Sequence, residues 1–321
     1  MDLRKDPITN SWMLVGDQEE TAATGEEPCP YCNGSSAKLI YALPNSSVRV
    51  YPHPKPIYHI EGDEGRSGEG IYDRMRTIGA HEVIIENNVH DRYFVKATEA
   101  EAEKVLLAYA QRISDLKKDI RFRYVTVFKN RGLLAGEEIG HAHSEVTATP
   151  FVPRRLVYEL RAAKQYFNGK ERCVFCDVVR QEESAGTRVV ESTGRYIAFC
   201  PFATRVPFEI WIMPRYHHAS FEEDLLSPSG AGGAAELAAL LKRCLGRLAQ
   251  ISEAFHLVLH TTPNVAAKRG LVEKWLTLAD DYHWHFEILP IAEKRTKSYS
   301  IKEVYYNPVS PERAAAKLRE L

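Results

Sequence analysis

Eight residues of this 321-residue chain have the types and spacing to hold metal ions. Cys29-Pro-Tyr-Cys32 is a CxxC pair, and Cys173-Val-Phe-Cys176 repeats it 144 residues later. His141-Ala-His143 recurs as His283-Trp-His285, 142 residues on. Between them, Glu82-Val-Ile-Ile leads to His90 as Glu209-Ile-Trp-Ile leads to His217, each eight residues on. Thiolate and imidazole donors suit tetrahedral Zn²⁺, and a CxxC knuckle lets two sulfurs of one tight turn reach one ion. The expected ligand sets are Cys29, Cys32, His90 and His141, and Cys173, Cys176, His217 and His283, with His218 the alternative to His217. Four protein ligands leave no open position, so both zinc ions would be structural. The competing readings are a redox dithiol or buried thiols. A redox dithiol needs CxxC between a strand and a helix, whereas Pro28-Cys-Pro-Tyr-Cys-Asn-Gly34 reads as a loop knuckle.

The HxH segments carry a second chemistry. Alternate residues of a strand face one side, so His141, His143 and Glu145 would share a face, as would His283, His285 and Glu287. A neutral imidazole whose other nitrogen is hydrogen-bonded can act as a nucleophile. The stretch Phe128–Gly140 precedes it, rich in glycine and carrying Lys129, Asn130 and Arg131. Its amides and cations could hold phosphate oxygens. His143 beside such a cradle fits attack on an α-phosphorus. No comparable loop precedes His285, which reads as a core or supporting histidine.

Three matched features in one order imply a duplication, with halves 1–168 and 169–321 meeting near Tyr166-Phe-Asn-Gly169. Val83–Glu86 and Ile210–Met213 read as buried strands. Thr98–Asp119 has helical periodicity and a capping box at its start, and Ala234–Glu253 is its counterpart. A strand follows each helix, at Tyr124–Phe128 and His256–His260, and each half closes on its HxH strand. Ser227–Gly233 reads as a loop. The expected class is α+β with a mainly antiparallel sheet.

Composition is that of a globular protein, 44% hydrophobic and 26% charged. Lys plus Arg total 42 against 43 Asp plus Glu, so no basic excess marks a nucleic-acid partner. No run reaches the ~20 apolar residues of a membrane helix. The start lacks a secretory pattern, and paired CxxC suits a cytoplasmic protein. Cys200 and Cys244 read as small core residues.

The sequence resembles the galactose-1-phosphate uridylyltransferase family of the histidine-triad (HIT) superfamily over nearly its whole length. The resemblance rests on Arg4-Lys-Asp-Pro-Ile-Thr9, Gly68-Glu-Gly-Ile-Tyr-Asp73, Gly79-Ala-His-Glu-Val-Ile-Ile-Glu86, Phe128-Lys-Asn-Arg-Gly132, His141-Ala-His-Ser-Glu145, Thr149-Pro-Phe-Val-Pro153, Pro207-Phe-Glu-Ile-Trp-Ile212 and Tyr306-Asn-Pro308. The double CxxC is most similar to the two-zinc branch that includes the plant ADP-glucose phosphorylase. The resemblance implies a duplicated HIT-like fold, a homodimer and a ping-pong reaction. His143 would attack the α-phosphorus of a nucleotide sugar, sugar 1-phosphate would leave, and sugar 1-phosphate or phosphate would take the nucleotidyl group. Asn130 and Gly136 match phosphate-contacting positions. The chain departs from the pattern at Glu145, where the family has Gln, and at Glu138, where it has a phosphate-contacting Ser. It departs also at Gly16–Ala22, Val50–Lys55 and Tyr299–Glu303. Two extra carboxylates beside a phosphate would repel it unless they are protonated, or paired with Lys129, Arg131 or a cation. Three functions are therefore expected in order: nucleotidyl transfer; phosphorolysis or hydrolysis of a nucleotide sugar or dinucleotide, with Glu145 as base; and nucleotide binding without turnover.

Overall fold

The computed structural model describes residues 1–16, 29–32, 37–228, 233–267, 275–291 and 305–321. The expected departures at 17–22 and 299–303, and residues 229–232 of the expected loop, lie outside them. The first half supplies β1 (Asp2–Lys5), β2 (Trp12–Val15), β3 (Tyr41–Ala42), β4 (Arg49–Pro52), β5 (Ser67–Glu69), β6 (Tyr72–Arg76) and β7 (Ala80–Ile85). Helix α1 (Glu99–Leu116), β8 (Tyr124–Arg131), β9 (His143–Thr149) and α2 (Arg154–Lys170) follow. The rest supplies α3 (Val174–Ala185), β10 (Val189–Ser192), β11 (Tyr196–Phe199), β12 (Ile210–Pro214), α4 (Phe221–Leu226), α5 (Gly233–Leu248), β13 (Phe255–His260), α6 (Leu278–Asp281), β14 (His285–Pro290) and α7 (Pro311–Glu320).

The main sheet has ten antiparallel strands in the order β10-β11-β12-β14-β13-β8-β9-β7-β4-β3. Read outward from its centre, each half gives the same five strands. β8 and β13 meet there, with Leu257 opposite Lys129 and Leu259 opposite Val127. The duplication is thus one continuous sheet. A separate four-stranded sheet runs β2-β1-β6-β5.

Each half pins its first long helix on one face of the main sheet. Thr98 and Glu101 close a reciprocal capping box at the start of α1. Its Val105, Leu106, Tyr109 and Ile113 are buried together with Leu237, Leu241, Cys244 and Leu248 of α5. At ~25 cal/mol per Å² of apolar surface removed from water, such a layer is the main stabilising term. Leu156 and Leu160 of α2 and Phe175 and Val179 of α3 form a second core with Tyr124, Phe199 and Tyr282.

Two expectations change in detail. Asn168 and Gly169 lie in the last turn of α2, and the chain turns at Glu171, whose φ is +52°. His141 and His283 precede β9 and β14, whose strands begin at the second histidine of each motif. Their side chains are drawn toward the CxxC sulfurs, so the shared face begins at His143 and His285.

Candidate active site and metal centres

The donor atoms of Cys29, Cys32, His90 and His141 lie within 4.8 Å of one another, as do those of Cys173, Cys176, His217 and His283. In the first set Cys29 Sγ is 3.4 Å from His141 Nδ1, and Cys32 Sγ is 3.3 Å from His90 Nδ1 and 3.6 Å from His141 Nδ1. Zinc–ligand bonds of 2.0–2.3 Å give a tetrahedral N···S edge of about 3.5 Å, so the spacing fits. In the second set Cys176 Sγ is 3.4 Å from His217 Nδ1. His283 Nδ1 is buried with no hydrogen-bond partner, as a metal-facing lone pair should be. Backbone carbonyls fix the tautomers. His141 Nε2–H donates to Asn87 O, His217 Nε2–H to Ala279 O and His283 Nε2–H to Tyr216 O, each at 2.7 Å. The position at 217, rather than 218, joins the second set. Cys173 caps α3, so this CxxC does open a helix, although the two histidines complete a ligand set around it. Hydrogen bonding from Cys173 and then from His217 pulls the Cys176 thiol down to about 5.

His143 is buried on β9 and donates Nδ1–H to the His141 carbonyl at 2.7 Å. That bond leaves the lone pair on Nε2. Burial, then the charge of Lys129, holds the ring below the ordinary histidine range and hence neutral at pH 7. β7 pairs with β9 so that Val83 faces Glu145 and Ile85 faces His143. Pleating then puts His81, Glu145 and His143 on one side. His81 accepts Ile57 N–H at Nδ1 (3.2 Å), so its proton sits on Nε2 and is donated to Glu145 Oε2 at 2.9 Å. His53 stacks on His81 with ring centroids 4.0 Å apart and reaches the same oxygen at 3.7 Å. Burial raises the Glu145 carboxyl, but the His81 hydrogen bond and the neighbouring imidazoles outweigh it, leaving the carboxyl lowered. Its other oxygen, Oε1, lies 3.9 Å from His143 Nε2.

The expected phosphate cradle is only partly of the expected kind. Lys129 is 1% exposed and turns beneath the strand, donating to Glu86 Oε1 at 2.9 Å and to the His143 carbonyl. Its ammonium therefore holds the His143 backbone and has no face to offer a phosphate. Arg131 donates to Glu137 at 2.7 Å and lies over Tyr93, 3.9 Å from the ring centroid. Asn130 Oδ1 accepts from His256 Nδ1 at 2.8 Å, so its amide N–H groups are directed away from that bond. Gly132 and Gly136 have φ of +86° and +74°, conformations that favour glycine. Glu137 Oε2 accepts from Gly132 N–H at 2.7 Å and shapes the turn. Glu138 is exposed, and its charge acts on His53.

The sequence reading missed His53, His81, Glu86, Tyr109 and Ser144. Ser144 donates to Glu86 and meets the Tyr109 hydroxyl beside His143 in the chain. Strand alternation from His143 would have found His81 through β7; His53 carried no local signal. The second HxH is closed. His285 is fully buried, stacked on Trp211 at 4.9 Å and covered by Phe175 at 5.5 Å. With Glu159, His260 and Glu287 it forms a further group whose donor atoms are also close enough to hold an ion. Arg155 and Arg205 each bond Glu287 at 2.7 Å.

Fold and site define a duplicated α+β protein whose second HxH site is filled by aromatic rings. The chain is similar to proteins of the galactose-1-phosphate uridylyltransferase family. Residues 55–153 match the family model for the N-terminal domain of galactose-1-phosphate uridyl transferase. ADP-glucose phosphorylase of Arabidopsis thaliana is 28% identical over 345 residues, covering 100% of this chain and 93% of that protein. Galactose-1-phosphate uridylyltransferase of Thermotoga maritima is 24% identical, covering 100% and 98%. Among solved structures, a uridylyltransferase aligns with TM-score 0.81 at 26% identity, covering 100% of this chain and 98% of that one. The Arabidopsis ADP-glucose phosphorylase with bound ADP-glucose aligns with TM-score 0.77 at 27% identity, covering 100% and 99%.

Proposed function

We propose that this chain is a nucleotidyltransferase of the hexose-1-phosphate uridylyltransferase type, working by ping-pong transfer through His143. One observation carries the reading: the His143 Nδ1–H bond to the His141 carbonyl leaves Nε2 as a neutral nucleophile. Nε2 attacks the α-phosphorus of a nucleoside-diphosphate sugar. The N–P bond forms, the P–O bond to the sugar phosphate breaks, and sugar 1-phosphate leaves with the electron pair. A second sugar 1-phosphate, or inorganic phosphate, reverses the step. Asn130 and the backbone of the Gly132–Gly136 turn are proposed to hold phosphate oxygens, with Arg131 bracing the turn through Glu137 and Lys129 holding the His143 backbone. Glu138 and Glu145 line the same site and tune the acceptor.

Two Zn²⁺ ions are proposed, at Cys29, Cys32, His90 and His141 and at Cys173, Cys176, His217 and His283, each cross-linking loops the sheet does not hold. The first half, 1–168, carries the nucleophile and the second, 169–321, the filled site. The whole is proposed to act as a cytoplasmic homodimer; six unpaired thiols suit a reducing compartment. Neutral-pH intact-mass spectrometry after separate incubation with UDP-glucose and ADP-glucose tests the mechanism. A gain of one nucleoside monophosphate, absent in His143→Asn, is expected and names the base. Saturable nucleotide binding with no adduct would leave only the binding-module reading. Sedimentation would report the oligomer.

A further inference from the structure

Glu145 is held as an anion where an anion must bind. Oε2 takes the His81 proton at 2.9 Å and faces His53 at 3.7 Å, while Oε1 stands 3.9 Å from His143 Nε2. A phosphoryl group bonded to Nε2 would therefore bring its non-bridging oxygens against Oε1. The two nearest basic side chains of the cradle are committed elsewhere, Lys129 to Glu86 and Arg131 to Glu137. Glu138 adds further negative charge, felt at His53.

His53, His81 and Glu145 do not form a resident metal site by themselves. His81 Nδ1 accepts the Ile57 N–H, so Nε2 carries hydrogen and has no lone pair for an ion. What remains free is Oε1, a hard oxygen donor beside the position of the α-phosphate. A Mg²⁺-type ion binds in just such a setting, through one or two carboxylates and substrate phosphates, keeping several waters.

We propose that the nucleotide binds as its complex with a hard divalent cation, with Glu145 Oε1 as protein ligand, the α-phosphate oxygens as substrate ligands, and His81 and His53 as positioning residues. Glu138 contributes through the ion's water shell. The inference rests on nucleotidyl transfer through His143 and gives that site a requirement for added divalent cation. The ion takes no part in electron bookkeeping; it screens Glu145 from the phosphoryl group as Nε2 attacks.

The test measures the rate of adduct formation by neutral intact-mass spectrometry with UDP-glucose and ADP-glucose. The holoprotein is freed of loosely held Mg²⁺ by gel filtration, and its zinc content is verified unchanged. Without Mg²⁺ the rate should fall ~10²-fold or more, the scale of losing one stabilising electrostatic contact at a reacting centre. Glu145→Gln should abolish most of that dependence, because a neutral amide neither repels phosphate nor needs the ion. His81→Phe keeps a ring stacked on His53 but frees Oε2, and should weaken Mg²⁺ activation by ~10-fold, about what one hydrogen bond to a charged group is worth. A second readout is binding of Mn²⁺ by electron paramagnetic resonance, expected only with nucleotide present and lost in Glu145→Gln. An adduct that forms equally fast without divalent cation would overturn the inference and leave the proposed function standing. No adduct under any condition would overturn both. If Glu145→Gln fails to fold, the Mg²⁺ dependence and the nucleotide-dependent Mn²⁺ signal of the unmodified protein still decide.

Discussion

Asn87 Nδ2 donates to Glu101 Oε1 at 3.0 Å, tying the start of helix α1 to the residue whose carbonyl orients His141. The Glu101 carboxylate also accepts from Thr98 N–H at 2.7 Å and from Arg92 Nε at 3.0 Å. One side chain thus closes the helix cap and braces the approach to the first Cys–His cluster.

A pH-dependent stability follows. Burial raises the Glu101 carboxyl, but its bonds to Thr98 and Asn87 and the Arg92 charge outweigh that, and it lies below the ordinary value of 4.5. The stability it contributes is whole above that value and is lost as pH falls through the depressed folded value. Glu101→Gln should therefore flatten the acid limb of a urea-midpoint profile. Glu101→Ala should cost about 1 kcal/mol at neutral pH, the worth of a helix cap.

Metal content should be two zinc per chain by elemental analysis. Cys29→Ser and Cys173→Ser should each lower it to one. Because binding free energy is folding free energy at such sites, each should also lower the thermal midpoint, and added zinc should restore neither.

Lys129 and Glu86 form a pair whose side chains are 1% and 2% exposed. Lys129→Met removes the cation and leaves a buried carboxylate bonded only through Ser144, while Glu86 Oε2 already has no partner. The expected cost is ~3–5 kcal/mol by urea unfolding. Adding Glu86→Gln should recover part of it, and a strictly additive double-variant cycle would contradict the pairing.

Arg205 is bonded to Glu209 and Glu287, each at 2.7 Å. Arg205→Ala takes one cation from two carboxylates that are 1% and 2% exposed at the side chain, leaving Glu287 to Arg155 and Glu209 to the Trp211 indole N–H and the backbone N–H at 205. Folding stability should fall by ~3–5 kcal/mol. His143 adduct formation should persist wherever the protein remains folded, since this cluster belongs to the filled half.

Repeated spacing made both Cys–His sets legible, because a tetrahedral ion demands particular donor types and the duplication supplied them twice. It also located the paired helices and HxH strands. It did not reveal which way Lys129 points. Asn130 and Lys129 are neighbours in a strand and must face opposite sides, so only one can meet substrate; the local sequence of the cradle gives no sign that Glu86 waits on the far side. His53 was hidden for another reason: it reaches Glu145 across 92 residues of chain, through a strand pairing that no short motif encodes. The closure of the His285 site likewise depends on Phe175 and Trp211 arriving from separate elements.

The β8–β13 seam makes the two halves interdependent. Cut apart, each would expose its innermost strand, eight residues long in one half and six in the other, to any chain with matching hydrogen-bonding groups. Among the described residues, the outer margins of the main sheet are β3, of two residues, and β10, of four. A separated half would be expected to associate through the bared strand, with a twin of itself the best-fitting surface on offer. The single chain has that encounter built in, at fixed register and independent of concentration. Such linkage leaves one copy at liberty to pack its HxH segment with rings, as Trp211 and Phe175 do around His285.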